Sequence, residues 1–280
     1  MVAIPITDQE HWHILRKQNV GGSEVAALFD ACSYLTRLEL WLIKRGEAPD
    51  ILDENERMFW GRMLEDGIAR GVAEKQGWVV ANRNAYYTCD DTPGMGCTPD
   101  RFIIDPARES PGLLQIKVVD WLVFKGWDDG QPPLQYELQL QHELACTGLT
   151  WGVLAVLVGG NDLRLFIYDA HPGAIAKIKL AVTEFWASVA AGEMPKATSD
   201  DYDILREFYG QDVGEAIDLS GDNELPGLCA AWQDASKRKS AAEKEEKAAK
   251  ASVMQKIGSA HKATCTGFEI RQTKVSKDGY

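Results

Sequence analysis

Four residues carry the chemistry this sequence offers first: Glu65 in WGRMLED, Asp100 in CTPD, and Gln115 and Lys117 in LLQIKVV. Side chains along a strand return to one face every two residues, so positions 115 and 117 point the same way. An acid at a strand start, a polar pair on the next strand and a helix glutamate make a cluster of oxygen ligands. Such a cluster suits Mg²⁺, a hard ion that takes oxygens in near-octahedral geometry, with Mn²⁺ as its substitute. There a metal polarises a scissile phosphate and lowers the pKa of an attacking water. Lys117 then holds that water, or neutralises charge as the transition state develops. Each residue alone has a plainer reading. Glu65 is then a solvated helix residue, Asp100 a turn residue, and Lys117 an edge-strand lysine with its head in water. Their common order and spacing favour the metal site.

The elements that must position these residues follow from periodicity. DQEHWHILRKQ has helical spacing, GGSEVAALF starts a second helix with Ser23 as N-cap or phosphate ligand, and TRLELWLIKRG is a third that ends at Gly46. ENERMFWGRMLEDGIARGVAEKQG predicts a long fourth helix, with Phe59, Met63 and Ile68 near one face. Strands follow in WVVANRNAYYTC, RFIID and LLQIKVV, separated by the turn residues TPGMG and ARESPG. LQYELQLQHELACTG is a helix, and WGVLAVLV and LRLFIYDA form a hairpin through GGND. AIAKIKLAVTEFWASVAAG closes the block as a helix. Strands flanked by helices, with an antiparallel hairpin on the sheet, predict a mixed α/β domain over residues 1–212. Residues 213–280 then form a linker and a mainly helical extension, rich in Ala, Lys and Glu, with a short β-ribbon at GFEIRQTKVSKDGY.

Composition narrows the function classes. The chain has 280 residues and a net charge of −12, which argues against a surface coated in positive charge for nonspecific nucleic-acid binding. The charge is uneven: from Trp232 onward 11 Lys or Arg face 6 Asp or Glu. An acidic outer face and a local basic groove can coexist. No apolar run approaches the length of a membrane span, and no basic-then-apolar leader is visible. The expectation is a protein of the cytosol with no membrane contact. Six dispersed cysteines with no C-x-x-C spacing read as reduced structural thiols, not a zinc or iron–sulfur site.

These signposts, in this order, resemble the lambda exonuclease/YqaJ branch of the PD-(D/E)xK nuclease superfamily. WHILR followed by GGSEVAAL is similar to its N-terminal phosphate-binding region, WGRMLED to its helix glutamate, and CTPDRF to its motif aspartate. LLQIKV resembles its Leu-Glu-x-Lys strand, and YELQLQHELACTG the helix that carries its motif glutamine, here Gln139. The resemblance implies a restriction-endonuclease-like core, a central mixed sheet flanked by helices. It implies a Mg²⁺-dependent exonuclease acting 5′ to 3′ on double-stranded DNA ends. The product is a 3′ overhang for phage-type recombination. It also implies a trimeric homo-oligomer and a single-strand annealing protein as partner. By carry-over Glu65, Asp100 and the Ile116 carbonyl are metal ligands, and Arg16, Ser23 and Thr98 form the pocket for the terminal 5′ phosphate. Arginine suits that pocket because its planar fork grips phosphate oxygens bidentately.

The departure lies at position 115, where the family pattern has an acid and this chain has Gln115. Glutamine keeps the shape of glutamate without its charge. One unit charge pair at ~4 Å and an effective dielectric near ~20 is worth about 4 kcal/mol, roughly a thousandfold in rate if it is lost from the transition state. Three explanations compete: a substitution made to hold substrate uncut, a natural variant with lost or reduced cleavage, and an active site whose ligand is the amide oxygen. Gln115 also motivates an alternative function, a catalytically silent module that binds DNA ends and recruits recombination partners. The C-terminal extension lies beyond the resemblance. It reads either as a solvated helix or as a docking element for an annealing protein or a second copy.

Overall fold

The computed structural model describes residues 2–49, 55–210, 214 and 216–271. The chain divides into two compact units, Met1–Gln211 and Asp212–Tyr280. In the first, strand β1 (Val2–Pro5) leads into helix α1 (Gln9–Lys17), followed by a short 3-10 helix (Val25–Phe29) and α2 (Arg37–Arg45). Helix α3 (Glu56–Gln76) precedes β2 (Val79–Ala81), β3 (Ala85–Thr88), β4 (Gly96–Cys97), β5 (Arg101–Ile104) and β6 (Gly112–Val119). Next come α4 (Trp121–Lys125), α5 (Leu134–Thr147), the hairpin β7 (Trp151–Val158) and β8 (Asp162–Asp169), α6 (Pro172–Ala191) and α7 (Tyr202–Tyr209).

The main sheet has the order β2-β5-β6-β7-β8. Strands β6 and β7 pair in parallel, and the other neighbours are antiparallel. Helices cover both faces of β6, which is why it reads as a nearly unbroken apolar run. Alternate residues serve the two sides. Leu114 and Ile116 pack with Ile68, Ala69 and Val72 of α3, while Leu113 packs with Leu138, Leu140 and Leu144 of α5. Gln115 and Lys117 share the face of Leu113 and so point toward α5. Each fully buried aliphatic side chain here contributes about 1.5–3 kcal/mol. Gly112 is required by a close approach, since a Cβ there lies 2.5 Å from the Trp151 ring. A second sheet, β1-β3-β4, packs Tyr87 and Cys97 into the α5 side of the core.

The mixed sheet flanked by helices is the fold class that the sequence predicts, and the predicted strands and hairpin are present. Some elements differ: WVVANRNAYYTC gives two strands, β2 and β3, in different sheets, and β1, α4 and α7 are additional. GGSEVAALF does not start an α-helix at Ser23; it gives a loop and the short Val25–Phe29 turn, whose preceding residue is Glu24. Long-range pairing is the reason. The Glu24 carboxylate is drawn to Arg16 at 3.0 Å and Lys44 at 2.8 Å instead of capping a helix. The turn then stops at Asp30 in the left-handed region, φ 52°. Glu54, at the head of the predicted fourth helix, lies outside the described residues.

In the second unit, α8 (Leu225–Ile257) is one 33-residue helix without a buried side chain. Spaced pairs such as Glu246–Lys250, 2.5 Å apart, support it. A two-stranded ribbon follows, β9 (Lys262–Cys265) with β10 (Phe268–Arg271). Residues 272–280 of the predicted ribbon lie outside the described residues. Among the described residues all six cysteines are free, and no helix is long and apolar enough to cross a membrane.

Candidate active site

Strand β6 and helix α5 place the sequence-selected residues in two hydrogen-bonded sets, Gln115 with Asp100 and Lys117 with Gln139. Pro99 fixes the backbone just ahead of β5, and Asp100 follows, only partly exposed. Its Oδ2 accepts from the Gln115 side-chain amide at 2.7 Å and from the Ile116 backbone N–H at 2.7 Å. Ile116 thus meets Asp100 through its N–H. On the same face as Gln115, Lys117 donates to the Gln139 side-chain oxygen at 2.9 Å, and its ammonium lies 5.5 Å from the centre of the Tyr136 ring. Gln139 in turn donates to Glu143 at 2.9 Å, one helical turn along α5.

Burial raises the Asp100 pKa, opposed by Lys117, the Ile116 N–H, Arg101 and Gln115. Two buried oxygens of these sets have no hydrogen-bond partner: Gln115 Oε1 and Glu143 Oε2. Glu143 is pushed up to about 8, first by burial and then by the charge of Asp100. An acid in that state holds a proton near neutral pH and gives it up when a cation arrives.

Glu65 lies apart from these hydrogen-bonded sets. Arg101 pairs with both Glu65 and Asp66 and also donates to the Asp100 carbonyl at 2.5 Å. Burial raises the Glu65 pKa, followed by the charge of Asp100. Electrostatically, then, Glu65 belongs to the same acidic set, while Arg101 ties it to the neighbouring strand. Among the described residues no group of three or more His, Cys, Asp or Glu side chains is gathered at metal-holding distance.

The three residues assigned to the phosphate pocket are linked unevenly. The Arg16 guanidinium lies 5.3 Å from the Trp12 ring centre, and Trp12 donates to the Thr98 hydroxyl at 3.0 Å. Arg16 and Thr98 are therefore bridged by one side chain. Ser23 is not linked to them by any of these bonds; its carbonyl accepts from Tyr34 at 2.5 Å. The loop before it approaches the α5 pair closely, because a Cβ on Gly22 lies 2.8 Å from Glu143 Oε1.

Two participants escape a reading of the sequence. Arg101 follows the motif aspartate directly, and nothing in RFII shows that it turns back onto α3. Glu143 stands four residues after Gln139, a spacing that puts both on one helix face. That spacing, in a helix where Gln139, Gln141, His142 and Glu143 are all buried, is the signal that finds it.

Comparison with known proteins places the chain in a family and a fold. The model of the YqaJ-like viral recombinase domain matches residues 11–150, half of the chain. Uncharacterized protein YqaJ of Bacillus subtilis (strain 168) is 28% identical over 221 residues, covering 77% of this chain and 68% of that protein. Among solved structures, the alkaline exonuclease LHK-Exo from Laribacter hongkongensis superposes with a TM-score of 0.53 at 21% identity, over 72% of this chain and 99% of that one. Its complex with dAMP gives the same TM-score, 0.53, over 98% of that chain. At that identity the likeness is one of fold.

Proposed function

The chain belongs to the YqaJ-like viral recombinase domain family, and from that premise we propose that it is a divalent-metal-dependent deoxyribonuclease. It works 5′ to 3′ from double-stranded DNA ends and leaves 3′ overhangs for phage-type recombination. The observation that carries the reading is the contact of Asp100 with Gln115 and Ile116, with Lys117 held on the same face by Gln139. The donor set fits Mg²⁺ or Mn²⁺, because the buried unpartnered oxygen of Gln115 and the desolvated carboxyl of Asp100 suit a hard cation. Asp100, Glu65, the Gln115 amide oxygen and the Ile116 carbonyl are the residues that would hold it. When bound, such an ion polarises the phosphate and acidifies water.

The chain's own residues do the rest. Lys117, oriented by Gln139, holds the attacking water and faces the charge that builds on the phosphate. Arg101 keeps Glu65 beside Asp100. Arg16 and Thr98, joined through Trp12, and Ser23 take the terminal 5′ phosphate. The neutral amide at 115 slows the reaction relative to a carboxylate. Residues 1–212 serve as the nuclease domain and 213–280 as an appended unit. Exposed Met58, Phe59, Trp60, Trp121 and Leu122 support self-association of the domain as a homo-oligomer, a trimer by family resemblance. A single-strand annealing protein is the partner that receives the product.

Digestion of linear duplex, with and without a 5′ phosphate, tests the reading on this chain and on Gln115→Glu. Faster cutting by the variant in Mg²⁺ or Mn²⁺, with preference for the phosphorylated end, supports it. A second reading, a silent DNA-end-binding module, is favoured by the neutral amide that Gln115 presents to Asp100. It wins if both proteins bind ends and neither cuts.

A further inference from the structure

Glu143 is a buried carboxylate that the proposed chemistry leaves unused. Its side chain is 2% exposed, one oxygen accepts from Gln139 at 2.9 Å, and the other has no partner. Buried acids are normally paired, and an orphaned carboxylate oxygen in a helix packed on both sides is costly to keep. Everything around it holds it in place. His142, the preceding residue, bonds the Gly96 carbonyl at 2.9 Å and so pins α5 to the strand that leads toward Asp100. The Gly21–Glu24 loop closes over it, and only a glycine at 22 leaves room. Through Gln139 it is one hydrogen bond removed from Lys117. Lys117 in turn shares the α5-facing side of β6 with Gln115, the partner of Asp100. A second buried oxygen, Gln115 Oε1, is also without a partner. The strand amide bonded to Asp100 and the helix carboxylate linked to Lys117 thus each carry a spare oxygen.

We propose that Glu143 supplies from helix α5 the acidic charge that strand β6 lacks at Gln115, making it a further residue of the cation site. The inference rests on the nuclease reading. The acidic share of the site has moved from the strand to the helix that faces it. The Gln115–Asp100 hydrogen bond is the consequence: with an amide on the strand, Asp100 has a donor, and the unmatched carboxylate is the one on α5. Glutamate at both positions gives the site one acid more than this chain carries.

The test is Mn²⁺ binding, read by electron paramagnetic resonance of the free ion, on this chain, E143Q, Q115E, the E143Q/Q115E double variant and D100N. Metal-free melts come first. Glutamine keeps the shape of Glu143 and its place beside Gln139, so E143Q folds. Glu143→Asp, which keeps the charge but draws it back, gives an intermediate affinity and a second check. The expected result is at least roughly tenfold weaker Mn²⁺ binding in E143Q, within the range that supporting residues of metal sites command. The double variant then recovers to near the original affinity, because the charge is back on the strand. Affinity in E143Q within twofold of the unaltered chain overturns the proposal, as does failure of the added Glu at 115 to rescue it. If the unaltered chain does not bind and Q115E does, the nuclease reading stands and Glu143 is ruled out as the substitute. If no protein binds, or D100N binds as well as the rest, the cation site itself is refuted, and the proposal with it.

Discussion

The side-chain amide of Gln115 donates to the carboxylate of Asp100 across 2.7 Å, joining strand β6 to the residue that opens β5. A glutamate in the same place turns this bond into a contact between two carboxylates, which at such range share a proton or take a cation. Gln115→Glu is therefore expected to lower the metal-free melting temperature, by roughly 1–3 kcal/mol of stability for a buried group that loses its partner. Mn²⁺ restores most of that loss, because the ion binds the folded state alone. Calorimetry with and without Mn²⁺ checks both halves. A variant that melts like the original chain under both conditions shows that position 115 does not sense Asp100.

Gln139 is the joint between the lysine on the strand and the acid on the helix, accepting from one and donating to the other. Gln139→Leu removes both bonds at once. Stability falls by about 1–3 kcal/mol as buried polar groups lose their partners. Cleavage falls on the order of a hundredfold, the cost of displacing a reacting group by about an ångström. Single-turnover digestion gives the rate and end-binding titration the affinity. If Gln139 only positions Lys117, the rate drops while the affinity for DNA ends holds. Equal losses in both contradict that role.

What the sequence made legible here follows from local periodicity. Strand β6, the β7–β8 hairpin and α5 announce themselves because period-2 and period-3.6 patterns survive wherever one element is buried along its length. Asp100 with Gln115, and Lys117 with Gln139, are pairs in contact that the order of the motifs singles out in the chain. The rest depends on partners far away in sequence. Glu24 looks like the second residue of a helix until Lys44, 20 positions on, claims its carboxylate. Arg101 looks like a strand residue until it reaches back 36 positions to Glu65. Glu143 looks like a charge on a helix surface, yet it is buried, with the Gly22 loop packed against it. The strand β1 and the short helices α4 and α7 were missed because each is too brief to show a period.

Glu143 also makes stability depend on pH. Its carboxyl moves from the ordinary 4.5 up to about 8 on folding, by burial first and the Asp100 charge second. The folded protein thus holds a proton that the unfolded chain has already released, and its stabilising share is complete below about pH 4.5. It drains away as the pH rises toward 8. Asp100 and Glu65, also raised by burial, act in the same direction. Urea unfolding of the metal-free protein at a series of pH values is expected to show the decline, and Glu143→Gln is expected to flatten it. Comparing the two proteins isolates this one group from the other titrating residues. Parallel curves for the two refute the assignment.

Arg16 is the most direct probe of end recognition. Its guanidinium pairs with Glu24, which burial pushes toward neutrality but which Lys44 and Arg16 together keep charged below the usual carboxylate range. The Lys44 side chain is fully buried and fixed on the same carboxylate, so Glu24 stays in place when Arg16 is altered. Arg16→Lys keeps the positive charge and loses the planar fork that grips phosphate oxygens in pairs. Folding is expected to change little, because the buried Lys44–Glu24 pair survives. Preference for a 5′-phosphorylated end over a 5′-hydroxyl end falls on the order of tenfold, one charge-assisted hydrogen bond's worth. Glu24→Gln acts on the other side of the pair and costs about 3–5 kcal/mol of stability by removing the charge that balances the buried Lys44. Competition digests of the two ends, alongside melts of both variants, separate recognition from folding. An Arg16→Lys protein that keeps its full preference for phosphate places the 5′ phosphate elsewhere on the surface.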